Sequence, residues 1–140
     1  MDASARLLLF HAVVILLVSL LAGVPYGRAI LRKKPPSVVH AWRVAHAALA
    51  MGAAIMMALA AVLSDLQVPD TTRQIIAWLF IISGYGFAFA LILGPLIGAR
   101  GLRAKGPPAA KAVYAGNVIG VVTSLGGTLL LLYAVFVSLG

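Results

Sequence analysis

The sequence predicts an all-α membrane protein, an antiparallel four-transmembrane-helix bundle, on three observations. Apolar stretches at 7–24, 44–63, 75–96 and 113–139 fill most of the 140 residues. Each can cross about 30 Å of hydrocarbon at about 1.5 Å per residue, and only helices or closed barrels satisfy their own backbone in that medium. Hydrophobic residues make up 63% of the chain against 10% charged, with a mean hydropathy of +1.09, a balance that leaves no length for a soluble domain. Finally, the basic residues gather in alternate connections, the pattern of a polytopic protein.

The spans fall at about 6–26, 42–63, 73–97 and 111–139 within a single domain covering 1–140. The first opens after Arg6 and is longer than the apolar core of a cleavable signal, so it is expected to stay in the bundle. Pro25, Pro35 and Pro36 are expected to stop it, because proline removes an amide donor and fixes φ. The second span is rich in alanine from Ala45 to Ala61. A short turn at 64–72 leads to the third, with Asp70 or Thr71 as the expected N-cap. Pro107 and Pro108 mark the joint before the fourth. Short connections make successive helices antiparallel.

The net charge of +8 has to be read through its distribution. Arg28, Arg32, Lys33, Lys34 and Arg43 flank the first connection, and Arg100, Arg103, Lys105 and Lys111 flank the third. Arg6 and Arg73 lie on the opposite side with all three acids, Asp2, Asp65 and Asp70. The positive-inside rule then predicts a multi-pass inner-membrane protein with those two connections in the cytoplasm and both termini periplasmic. The charge reads as topology plus contact with anionic membrane lipids, with no nucleic-acid partner. The absence of cysteine excludes disulfides, thiolate metal sites and cysteine nucleophiles. No Asp or Glu lies inside a span, which argues against proton relays, cation transport and carboxylate acid–base catalysis.

Small residues crowd the second span, and Gly84, Gly86 and Gly94 in the third and Gly116, Gly120, Gly126 and Gly127 in the fourth extend the pattern. Such residues let another helix, or a flat cofactor, approach the backbone, and residue type alone favours helix packing. The ionisable residues left within or beside the spans are histidines. His46 enters the second helix near its basic end, His11 lies near the opposite end of the first, and His40 sits at the edge beside Trp42. A neutral imidazole is a good ligand for iron, copper or zinc, whereas a lone helix-end histidine is commonly just hydrogen-bonded. His11 and His46 are expected on the order of 20 Å apart along the membrane normal, too far to share a metal. That spacing disfavours a bis-histidine haem and a multi-histidine zinc or diiron site, and leaves a single-histidine haem with one open face.

The run Trp42-Arg43-Val44-Ala45-His46-Ala47-Ala48-Leu49-Ala50-Met51-Gly52, continuing to Val62, resembles the second helix of the styrene oxide isomerases. These small four-helix membrane enzymes enter that helix with an Arg-x-x-His or Arg-Ala-His pattern. Residues 6–23, with His11, resemble the family's first helix, and 68–74 the turn into its third. The resemblance implies a homotrimer with haem b (Fe) near the subunit interface, His46 as the metal ligand, and Arg43 and Gly52 among the cofactor-binding residues. It also implies Lewis-acid conversion of a small lipophilic epoxide to an aldehyde, which needs neither reductant nor carboxylic acid. Gly52 stands where the isomerases carry a substrate-orienting Asn, and the family's functional Asp and Tyr fall at Ser83 and Leu91. Tyr85 and Asn117, with Tyr114, are the candidate catalytic replacements; read from position alone, Tyr114 is an interfacial ring and Asn117 an interhelical hydrogen-bond partner. The alternatives are a related haem protein for sensing, carriage or redox, and a haem-free membrane interaction bundle.

Overall fold

The computed structural model describes residues 1–140 and contains four helices and no strands. They are α1 (Ala3–Leu31), α2 (Pro36–Val62), α3 (Asp70–Ile97) and α4 (Pro108–Val137), each long and apolar enough to cross a membrane. A 3-10 turn at Leu63–Asp65 continues α2. Every helix begins before its expected span, and α1 and α2 carry Arg28, Ser37 and His40 in the added turns. Hydropathy marks only the hydrocarbon-embedded part of a helix, whereas hydrogen bonding carries the helix on into the headgroup region.

Two local expectations are corrected. Pro25 does not end α1, which runs through it to Leu31. A proline inside a helix costs one intrahelical bond, but the flanking apolar residues still gain by keeping the rest of the backbone paired in lipid. The start of α3 also shifts: Pro69 is the N-cap and Asp70 the first helical residue, so neither Asp70 nor Thr71 caps it. Pro36 and Pro108, in contrast, take first helical positions, where a missing amide is harmless.

Helices α1 and α2 pack along their length, as do α3 and α4, and α3 also touches both α1 and α2. Leu8, Ile15, Leu49, Met56, Ile76 and Ile81 form the centre of this three-helix core. Glycines locate the contacts. A Cβ on Gly84 would lie 3.2 Å from Met56 Sδ and 3.3 Å from Ile15 Cγ1, so α1, α2 and α3 meet there. A Cβ on Gly86 would lie 2.9 Å from both Gly116 O and Gly120 N, so α3 and α4 touch backbone to backbone. Ser83 Oγ donates to the Gly120 carbonyl at 2.8 Å across the same crossing. These glycines of α3 and α4 therefore serve helix packing.

Because α4 packs chiefly on α3, a cleft opens on each side of it. One lies towards α2 and the other towards α1.

The ends of the bundle differ in chemistry. At the acidic end, Asp2 caps α1 by accepting from Ala5 N at 2.8 Å, and its own amide donates to Ser64 Oγ at 2.9 Å. Arg73 Nε lies 3.1 Å from Asp2 Oδ2, its Nη1 donates to Leu66 O at 3.0 Å, and its Nη2 pairs with Asp70. Gln67 N donates to Ser138 Oγ at 2.8 Å, which ties the α4 terminus to the same cluster. At the basic end no carboxylate is present, since Asp2, Asp65 and Asp70 all belong to the other.

Candidate functional site

His46 lies against α1, not in either cleft. Its Nδ1 is 2.9 Å from the Ser19 carbonyl, and a carbonyl only accepts, so Nδ1 carries the proton and donates. Ser19 Oγ returns the bond by donating to the His46 carbonyl at 2.7 Å. Tyr26 stacks on the imidazole at 6.4 Å with the planes 24° apart, and the ring packs over Gly23, where even a Cβ would stand 3.5 Å from it. The tautomer is thereby fixed with Nε2 as the free lone pair, the arrangement found when an imidazole binds a metal and anchors its other nitrogen on a carbonyl. These residues fit a haem ligand. Ser19, the one polar side chain between His11 and Gly23, gave a sequence signal only as an interruption of an apolar run.

Around α2, at about 100° per residue, Ala47, Ala50 and Ala54 share the arc next to His46 and present little beyond backbone. Ala47 and Ala54 are exposed, as are Ala58 and Ala61 further along. Arg43 lies on this arc too and donates from Nη2 to His40 Nδ1 at 2.9 Å; no bond joins it to His46.

The cleft between α2 and α4 holds a cavity of about 430 Å³ floored by α3. Gly52, Ser83, Leu91 and Asn117 all line it, with Phe80, Phe87 and Met56 among the apolar walls. The three positions that carry the expected Asn, Asp and Tyr in the isomerase pattern thus converge on one space, which they fill here with no group able to ionise. A Cβ on Gly52 would meet nothing within 4 Å. Asn117 donates through Nδ2 to Gly101 O at 3.2 Å, so its amide pins the α3–α4 connection, where Gly101 has φ +62°. It bonds a loop carbonyl, where the sequence suggested a helix–helix bond.

Tyr85 is not brought to this cavity. It lines the other cleft, towards α1, where its hydroxyl is 2.8 Å from His11 Nδ1 and its ring meets His11 edge-on at 5.5 Å. His46 and His11 are likewise kept apart: His46 packs at Ser19–Gly23, eight to twelve residues along α1 from His11, or about 12–18 Å at 1.5 Å per residue. No three His, Cys, Asp or Glu side chains converge anywhere in the chain.

The styrene oxide isomerase family model matches residues 4–136. The chain belongs to the styrene oxide isomerase family. No curated protein matches it in sequence. The family match covers all four helices, so His46 and the α2–α4 cavity both lie on the shared isomerase scaffold. Within that scaffold Gly52, Ser83 and Leu91 line the cavity, while the α1–α2 seat of His46 is a complete hydrogen-bonded unit.

Proposed function

We propose that this chain is a membrane-embedded haem-b protein that isomerises lipophilic epoxides, with His46 Nε2 as the haem ligand. The observation that carries the reading is the Nδ1–H bond to the Ser19 carbonyl, which leaves Nε2 as the only free donor atom of a half-buried imidazole. When bound, ferric haem would supply a Lewis acid for the epoxide oxygen. The chain's own contribution is to hold the imidazole, exclude water and orient the substrate. Isomerisation breaks one C–O bond, moves a hydride to the neighbouring carbon and forms a carbonyl, so atoms and electrons balance without an oxidant or reductant. The walls at Met56, Phe80 and Phe87 suit such a rearrangement because water would intercept it.

A homotrimer belongs to the same proposal. Gly52 follows His46 by six residues, which places the two about 120° apart around α2. A ligand on His46 of one chain therefore does not face that chain's own cavity. The buried face of α2 fills that 120°, and the exposed Ala47, Ala54, Ala58 and Ala61 arc lies on the longer, outer way round, where it gives a second copy a close seat. In this arrangement the haem lies between subunits, with the cavity of the next copy opposite.

The replacements at Gly52, Ser83 and Leu91 favour a second reading, a haem protein of the same family without epoxide isomerase activity. Two measurements on detergent-purified protein separate the readings. A Soret band with aldehyde formed from an epoxide in the absence of reductant supports the isomerase. A Soret band without turnover of any lipophilic epoxide leaves the second reading, and a protein that stays colourless when haem is supplied refutes both. The orientation proposed is inner-membrane, with the basic end cytoplasmic and both termini periplasmic.

A further inference from the structure

The α2–α4 cavity does not end in the membrane interior. A second cavity of about 430 Å³ continues it towards the basic end, and the two share Phe87, Leu91 and Asn117. Together they form a groove from His40 and Arg100 at its mouth to Ile55 and Phe80 at its far end. His40 to Ile55 is fifteen residues of α2, about 22 Å at 1.5 Å per residue. One leaflet contributes only about 15 Å, half of the roughly 30 Å hydrocarbon layer. The groove is thus longer than a compact aryl epoxide needs.

The mouth carries the second observation. Arg100 lines it, and both ion pairs of the chain belong to Arg73 at the opposite end. Arg100 therefore has no carboxylate partner, and the sequence supplies none on that side. His40 Nδ1 accepts from Arg43, which brings a further cation to the same rim. A cationic mouth leading to an apolar trough matches an anionic head on a single long alkyl chain. Inside the trough the polar side chains turn their donors to the backbone, Ser83 to Gly120 O, Ser124 to Val121 O and Asn117 to Gly101 O, so the walls a chain would meet are apolar.

We infer that the groove binds a long-chain fatty carboxylate whose carboxyl group meets Arg100 and whose chain runs towards Gly52, the epoxide being carried well away from the head. The inference rests on the reading of this cavity as the substrate site. Such an internal epoxide would rearrange to a ketone, where a terminal one gives an aldehyde. Gly52 is then the residue that keeps the trough open, since any larger side chain projects into it.

The test is binding without turnover. 9,10-Dibromostearate and its methyl ester, neither of which holds an epoxide, are titrated into the purified full-length protein by calorimetry. The acid should bind at least tenfold tighter than the ester. Arg100→Gln should bring the two within about twofold, Arg100→Lys should restore the preference, and Arg103→Gln, whose side chain lines no part of the groove, should leave it intact. Gly52→Phe should weaken acid and ester alike by tenfold or more. Equal binding of acid and ester, an Arg100→Gln variant that keeps the preference, or a Gly52→Phe variant that binds normally overturns the inference. Displacement of the acid by phosphatidylglycerol at equal mole fraction overturns it in favour of an ordinary membrane lipid. Because no haem chemistry is read, failure of the isomerase assay leaves this result standing, and failure here leaves the isomerase reading intact.

Discussion

Replacing Gly86 with alanine adds one methyl group at the tightest point between α3 and α4. Its Cβ would lie 2.9 Å from Gly116 O and Gly120 N, both backbone atoms that no rotamer change can move. Ordinary contact begins at 3.4 Å, so the helices must part by about 0.5 Å, the difference of the two distances. The Ser83–Gly120 hydrogen bond, at 2.8 Å, then stretches to about 3.3 Å, beyond the usual O–H···O range. Gly52→Ala is the matched control, because its Cβ meets nothing within 4 Å. Both variants gain the same helix propensity, so the difference between them isolates the crossing, and overpacking of this kind costs about 1–3 kcal/mol. Equilibrium unfolding in mixed micelles, followed by far-ultraviolet circular dichroism, should place Gly86→Ala below Gly52→Ala by that amount. Stabilities agreeing within about 0.5 kcal/mol would refute the backbone contact and, with it, the position of α4 that defines both clefts.

Four further outcomes follow from the same geometry. His46→Ala should abolish haem retention while Ser19→Ala largely keeps it, because the accepting carbonyl survives the second change; Soret absorbance measures both, and parity between His46→Ala and wild type would sink the ligand. Gly52→Asn has room for its side chain beside Ser83 and Asn117, and should raise styrene oxide turnover on the order of tenfold, about 1.4 kcal/mol of barrier, from a low wild-type rate. Strong wild-type turnover would instead show that another group does the orienting. Arg73→Ala should lower the unfolding midpoint and speed hydrogen exchange at 1–8 and 64–72, since one guanidinium joins Asp2, Leu66 and Asp70; unchanged exchange would count against the clasp. Reporter fusions at Lys33 and Lys105 should be cytoplasmic, and a periplasmic result would reverse the proposed orientation.

The cavity and the seat of His46 are separate structural units. Gly52, Ser83 and Leu91 make no contact with the His46 hydrogen bonds, because His46 leaves α2 towards α1 at Ser19 whereas the cavity lies on the side of α2 that faces α3 and α4. Substrate preference in this scaffold can therefore shift without disturbing the proposed metal ligand. Tyr85 does not compensate, since its hydroxyl is committed to His11 in the other cleft. Asn117 stays available to a substrate only through the part of its amide that the Gly101 carbonyl does not use.

Four helices, their order, the chemistry of the two ends and the candidate His46 were all legible in the sequence. The helices, their order and the chemistry of the two ends depend on how a residue or a short run partitions between water and hydrocarbon, which is a local property. His46 was instead singled out by imidazole ligand chemistry and the family resemblance of residues 42–52. Helix ends were less legible, because Pro25 signals a break that the surrounding apolar turns override. Lateral arrangement was not legible at all. That α4 packs chiefly on α3, that Tyr85 turns to His11 while Gly52, Ser83 and Leu91 face one cavity, and that His46 takes one tautomer are set by contacts between residues 27 to 74 positions apart. In lipid no hydropathy difference separates one apolar helix face from another, so backbone approach at glycines and a few hydrogen bonds choose the partners.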